Sequence, residues 1–231
     1  MSKRILTLTL PAVALALAHG FVRAEPPAPV PPIVHGPPNA TLVAQGTLAR
    51  FTINPFGEVD GFLLADGTQV TFPSHMSAEL IAAVNVGDAV SVQGMREYSG
   101  AVKAWIVTNT HTHAVVAEHP PQEGRPPLPP HLRQAALSPL EVQGKIHRTL
   151  SGPRGEVNGV LLEDGSIVRF PPDIGVQYRQ LLQPGAAFAA RGYGTQNQFR
   201  RALEATAIGT SSAALRPIYA PPILESPGAA P

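Results

Sequence analysis

The chain has no cysteine. No disulfide or thiolate metal site can form, so each folded unit must rest on buried apolar surface. Aromatic residues are few, 6% of 231 with a single tryptophan. The stacking platforms that grip single-stranded nucleic acid therefore have little to draw on. Charge of one sign is also missing, with 17 basic against 16 acidic residues. No apolar run reaches the roughly 20 residues of a membrane-spanning helix. The longest, residues 5–18, is interrupted by Pro11. The local signatures of catalysis are absent too: there is no Gly-x-Ser-x-Gly elbow, no HExxH pair and no phosphate-cradling glycine loop. These absences point away from an enzyme and imply no cofactor.

What is present at the start is the pattern of a secretory signal peptide over residues 1–24. Lys3 and Arg4 precede the short apolar run, and Val22-Arg23-Ala24 offers a cleavage site. The expected address is periplasmic or secreted, with no stable membrane insertion after cleavage. Lys3, Arg4 and Arg23 leave with the signal, so 14 basic residues face 16 acidic ones in the mature chain. That balance argues against nucleic acid as a partner.

An internal repeat organises the rest. Gln45-Gly46 recurs as Gln143-Gly144, an offset of 98. The same offset relates Gly57-Glu58-Val59 to Gly155-Glu156-Val157, and Asp66-Gly67 to Asp164-Gly165. It also relates Phe72-Pro73 to Phe170-Pro171, and Gly94 to Gly192. Of the 26 prolines, 19 crowd into residues 25–40, 112–140 and 215–231. Such segments favour extended conformations and build no core. The division expected is a proline-rich arm (25–40), a first domain (41–112), a linker (113–140), a second domain (141–210) and a proline-rich tail (211–231).

Within one copy, residues 42–53 read as a strand with Ala49, Phe51 and Ile53 on one face. Asn54-Pro55-Phe56-Gly57 carries type I turn chemistry. Residues 58–65 form a second strand, and Asp66-Gly67 reads as a two-residue hairpin turn with positive φ at both positions. In the third strand, residues 68–72, Val70 and Phe72 point inward while Gln69 and Thr71 point outward. Met76, Leu80 and Val84 recur every four residues, as do Ile174, Tyr178 and Leu182. This is one stripe of a short helix, with Ser77 as its N-cap. Val90 and Val92 mark a fourth strand closed by Gly94, and residues 102–110 a fifth. The chain is thus mainly β, two tandem copies of three strands, a helix and two more strands. That order resembles the OB-fold, and the resemblance implies two five-stranded barrels, each with a short helix between strands three and four; an SH3-like barrel or a split open sheet is the alternative.

The resemblance implies a ligand surface on the outer face of strands two and three and on the loops after strands one and four. In the first copy this directs attention to Phe56, Arg96, Tyr98 and Trp105. In the second it picks out Arg154, Arg169, Tyr193, Phe199, Arg200 and Arg201. Residues 41–112 hold three basic and six acidic side chains, whereas residues 141–210 hold eight and six. Arginine forks suit anionic groups, so the second copy is the expected site of an anionic ligand. His111, His113 and His119 are weak metal candidates; without cysteine or well-placed carboxylates they read better as incidental linker residues, and no metal site is expected. The functional expectation is a non-catalytic binding or interaction module of the bacterial cell envelope, its partner an unidentified envelope ligand or protein. The alternatives are a structural or adaptor protein acting through its proline-rich segments, or weak metal binding by the linker histidines.

Overall fold

The computed structural model describes residues 41–121 and 136–219. The expected signal peptide (1–24) and proline-rich arm (25–40) lie outside the described residues, as do much of the linker and the end of the tail.

Alternating apolar residues set up β1 (Thr41–Ile53), β2 (Val59–Leu64) and β3 (Gln69–Thr71). A single 3-10 turn and helix α1 (Ser77–Ala83) lead into β4 (Ala89–Arg96), β5 (Val102–Asn109) and a short β6 (Val115–Ala117). The order β3-β2-β1-β4-β5 closes on itself because β3 also pairs with β5, in parallel. The long β1 serves two neighbours, pairing β4 along Thr41–Thr47 and β2 along Leu48–Ile53. Met76, Leu80 and Val84 are fully buried, so the stripe read from their spacing is the face that enters the barrel core.

The second half repeats this plan. Its elements are β7 (Ser138–Ser151), β8 (Val157–Leu162), β9 (Ile167–Arg169), helix α2 (Pro172–Gln177), β10 (Ala187–Asn197), β11 (Arg200–Gly209) and β12 (Arg216–Pro217). The order β10-β7-β8-β9-β11 closes through β10 and β11, again with the third and fifth strands parallel. Val160, Val168, Phe170, Ile174, Leu182 and Phe188 fill its core. Two closed five-stranded barrels of OB-fold order therefore stand in one chain. Among the described residues no helix is long and apolar enough to cross a membrane.

Three local expectations are corrected. At the Asp66-Gly67 turn only Gly67 has positive φ (87°). The Gly67 N–H bonds the Leu64 carbonyl and Leu64 N–H bonds Thr68, which makes a three-residue loop with one left-handed glycine. Ser77 does not cap α1; its Oγ accepts the Val59 N–H at 2.8 Å and ties the helix to β2. Gly94 does not end β4, which runs on to Arg96. Its role is close approach: a Cβ at Gly94 would lie 2.0 Å from the Lys103 carbonyl oxygen, and one at Gly192 would lie 1.9 Å from that of Glu204.

The outer face of strands two and three, expected to meet solvent or ligand, meets the other barrel instead. Leu150, Leu161, Ile167 and Ala202 of the second barrel belong to the same buried apolar cluster as the first barrel's core. Gln69, only 8% exposed, donates to the Ser151 carbonyl (3.1 Å) and accepts the Ser151 N–H (3.3 Å). Phe51 and Phe199 meet edge to face with centroids 5.3 Å apart. The contact recurs when the halves are exchanged. The β4–β5 hairpin lies against Gly155, and the β10–β11 hairpin against Gly57. Arg148 donates to the Gly67 carbonyl, and its counterpart Arg50 lies over Gly165. This is the self-complementary geometry of a two-fold interface, built within one chain.

Candidate functional site

Between the barrels the paired faces leave a cleft of about 650 Å³. It is lined by Thr52, Asp60 and Thr71 from the first barrel and by Asn158, Arg169 and Glu204 from the second. Prolines 55, 73, 153, 171 and 172 also line it. They are nearly all the prolines that the repeats contain. Their fixed φ makes stiff walls.

Arg169 crosses the cleft and donates to Asp60 Oδ2 at 2.8 Å, while Thr52 Oγ1 donates to Asp60 Oδ1 at 2.8 Å. Both ends of the ion pair are largely buried, at 17% and 23% exposure. At the repeat offset of 98, Asp60 corresponds to Asn158 and Thr71 to Arg169, so the one aspartate and the one arginine at these positions come from different copies and pair with each other.

Other polar groups of the cleft are not matched. Among the described residues, Glu97 Oε2 and Asn158 Oδ1 are buried acceptors with no hydrogen-bond partner, and Glu156 Oε2 is another nearby. Burial pushes the Glu97 carboxyl above the ordinary carboxylate range, with Lys103 opposing the shift and Glu156 adding to it. Burial likewise raises Glu204, against the pull of Arg169. Buried acceptors that lack donors are costly, and functional sites are where such groups gather. With Glu118 also in the lining, the cleft carries four acids against Lys103 and Arg169. It suits a ligand that brings hydrogen-bond donors and positive charge.

The residues singled out from sequence are dispersed. Arg169 is the one at the cleft, and it is occupied by Asp60. Arg96 donates to the Gly100 and Val43 carbonyls and braces its own hairpin. Tyr98 is 92% exposed at the tip of that hairpin, and Tyr193 is 53% exposed on β10. Trp105 is half-buried on β5, and its carbonyl accepts the Glu118 N–H. Phe56 sits in the turn after β1, where its N–H bonds Asn54 Oδ1. Arg154 is exposed, 3.9 Å from Glu156. Phe199, Arg200 and Arg201 stand together at the β10–β11 hairpin, with Arg201 bound to Asp164 at 2.7 Å.

The histidines do not converge. His111 and His113 are exposed in the turn after β5, where Asn109 Oδ1 accepts the His111 and Thr112 N–H groups. His119 lies elsewhere, its Nδ1 donating to the Pro120 carbonyl (2.8 Å) and its Nε2 donating to Glu79 (3.1 Å). Those two acceptors raise its pKa, because both ring nitrogens are held as donors. Among the described residues no group of three or more histidines or acids is placed to hold a metal ion.

Glu97, Glu204 and Arg50 were not singled out from sequence. Arg50 carried a signal, since Arg50 and Arg148 match at the repeat offset. Glu97 and Glu204 carried none, because nothing in their local pattern marks either carboxylate as covered.

No family model matches the chain, and no curated protein matches it. Solved structures to which it is similar include the single-stranded DNA-binding protein from Thermus aquaticus. The wild-type protein is 19% identical, covering 77% of this chain and 92% of that one, with a TM-score of 0.23. A deletion mutant is 20% identical, covering 78% and 95%, also with a TM-score of 0.23. At that score the likeness carries no argument about what this chain binds. The expectation against a nucleic-acid partner is withdrawn all the same, because composition alone does not support it. Whole-chain charge and aromatic content describe an average, whereas a ligand meets a local surface, and arginines do cluster locally at the β10–β11 hairpin. Nucleic acid stays among the partners to be tested.

Proposed function

We propose that this chain is a non-catalytic binding protein of the cell envelope, in which two OB barrels lock face to face and hold a donor-rich, positively charged group in the cleft between them. Export is inferred from the signal pattern of residues 1–24. The absence of enzymatic activity is inferred from the lack of catalytic motifs. One observation carries the ligand class: Glu97 places a buried, unpartnered carboxylate oxygen in an acidic cleft. An ammonium or guanidinium group there would supply the missing hydrogen bond and the counter-charge together. Asn158, with its own unpartnered acceptor, supports the same complement from the opposite barrel.

The test is calorimetric titration with a short lysine-bearing peptide, for the unaltered chain and for Glu97→Gln. Saturable binding weakened at least tenfold by the substitution upholds the reading. Equal affinity of the two proteins, or no heat at millimolar peptide, rejects it.

A further inference from the structure

A second charged feature lies away from the cleft. The β10–β11 hairpin turns through Gln198 and Phe199 and returns at Arg200, whose φ is 98°. In the corresponding hairpin of the first barrel the positive φ falls on Gly100 (83°). Glycine takes that conformation freely, whereas a side chain is strained in it. An arginine has thus been placed where the backbone favours glycine. Arg200 is exposed and, among the described residues, its guanidinium has no hydrogen bond or ion pair. Strain of this kind is found where a side chain is needed for function.

Arg200 is not alone. The point where a Cβ on Gly165 would sit lies 3.0 Å from Arg50 Nη1, on the other barrel, and 3.2 Å from Arg200 Cγ. Arg148, the counterpart of Arg50, is satisfied by the Gly67 carbonyl. Arg50 has no such acceptor among the described residues. Two acids stand nearby. Asp164 is already held by Arg201; burial works against its ionisation, but hydrogen bonds from Ser166 and Arg201 outweigh that and keep its pKa low. Glu163 is exposed at the start of the same turn. Arg50, Arg200 and Arg201 leave the patch net positive. The amide side chains of Gln196, Asn197 and Gln198 line an adjoining recess of about 360 Å³.

We propose that Arg50 and Arg200 form a composite oxyanion site, one arginine from each barrel, that takes a phosphate group. An oxyanion seated over Gly165 would accept from the Arg50 fork and from the Arg200 fork at the end of its flexible stem, giving both the counter-ion they lack among the described residues. Free phosphate and the phosphodiester of a single strand share this chemistry. The site does not depend on the acidic cleft, so either proposal can fail without the other.

The experiment uses the full chain and four proteins: unaltered, Arg200→Gly, Arg50→Gln, and Arg154→Gln as an exposed arginine outside the patch. Inorganic phosphate is titrated by calorimetry and a labelled oligothymidylate by fluorescence anisotropy, both at low salt. Arg200→Gly should melt no lower than the unaltered protein, because it relieves the positive φ, yet bind phosphate at least tenfold more weakly. Arg50→Gln should show a similar loss and Arg154→Gln none. Oligothymidylate binding with the same pattern makes the ligand a phosphodiester chain; phosphate binding alone makes it a small anion. Undiminished phosphate binding by Arg200→Gly and Arg50→Gln, or no binding of either probe by the unaltered protein, overturns the proposal.

Discussion

Replacing Ile167 by alanine probes the contact between the barrels through a single side chain. Ile167 lies on β9 next to Val168, which fills the second barrel's own core. By strand alternation Ile167 belongs on the outside. It is nevertheless 1% exposed and sits in the apolar cluster of the first barrel. On a solvated strand, Ile167→Ala would cost less than about 1 kcal/mol, the span of β-propensity. Under the cover of the other barrel it removes buried carbon atoms and leaves a void, costing about 3 kcal/mol. For a cooperative unit of roughly 150–250 residues each kcal/mol lowers Tm by about 2–4 °C. The expected fall is therefore about 6–12 °C, with a matching loss in urea titration. Val176→Ala, at a position 65% exposed, is the control and should change stability by less than about 0.5 kcal/mol. If Ile167→Ala stays within about 1 kcal/mol of the unaltered protein, the outer face of β9 is open to water and the face-to-face packing is refuted.

Other outcomes follow from the same geometry. Glu97 has a raised folded-state pKa, so its neutral form stabilises the fold below about pH 4.5 and that contribution is lost as pH rises through the folded value. Glu97→Gln should therefore melt higher than the unaltered protein at pH 7, and the two should converge toward pH 4. His119 also has a raised pKa, so its contact with Glu79 contributes fully below about pH 6.5 and is lost as pH rises through the folded value. An NMR titration should place the His119 midpoint above 6.5, and Glu79→Gln should bring it down. Gly192→Ala would drive a Cβ to 1.9 Å from the Glu204 carbonyl oxygen. It should cost at least about 1–3 kcal/mol by chemical denaturation.

The barrels were readable in the sequence because their signals are local. Hairpin glycines, the period-two strands and the Met76-Leu80-Val84 stripe each report on a few neighbouring residues, and the 98-residue offset doubled every one of them. The faces of the third strands were read correctly but their surroundings were not, and Ala49, expected to share a face with Phe51 and Ile53, is exposed at a bulge in the β1–β2 pairing. Gln69 and Ile167 do point out of their barrels, yet they meet protein in place of water. Alternation tells which side of a sheet a residue occupies and is silent about what covers that side. The divergence of the two copies held the missing clue. Where the first copy has Asp60 and Thr71 the second has Asn158 and Arg169, and that arginine pairs with that aspartate between the barrels. Such a pairing leaves no pattern within either copy. The β3 and β9 faces therefore resembled ligand surfaces when they are each other's ligand, and the cleft they enclose has no sequence signature of its own.

The most direct measurement is a nuclear Overhauser contact between the rings of Phe51 and Phe199, which stand on different barrels. With phenylalanine-selective labelling of the full chain, centroids 5.3 Å apart should give a clear cross-peak that disappears in Phe199→Leu. A spectrum in which contacts within each barrel are strong and this one is missing would contradict the account.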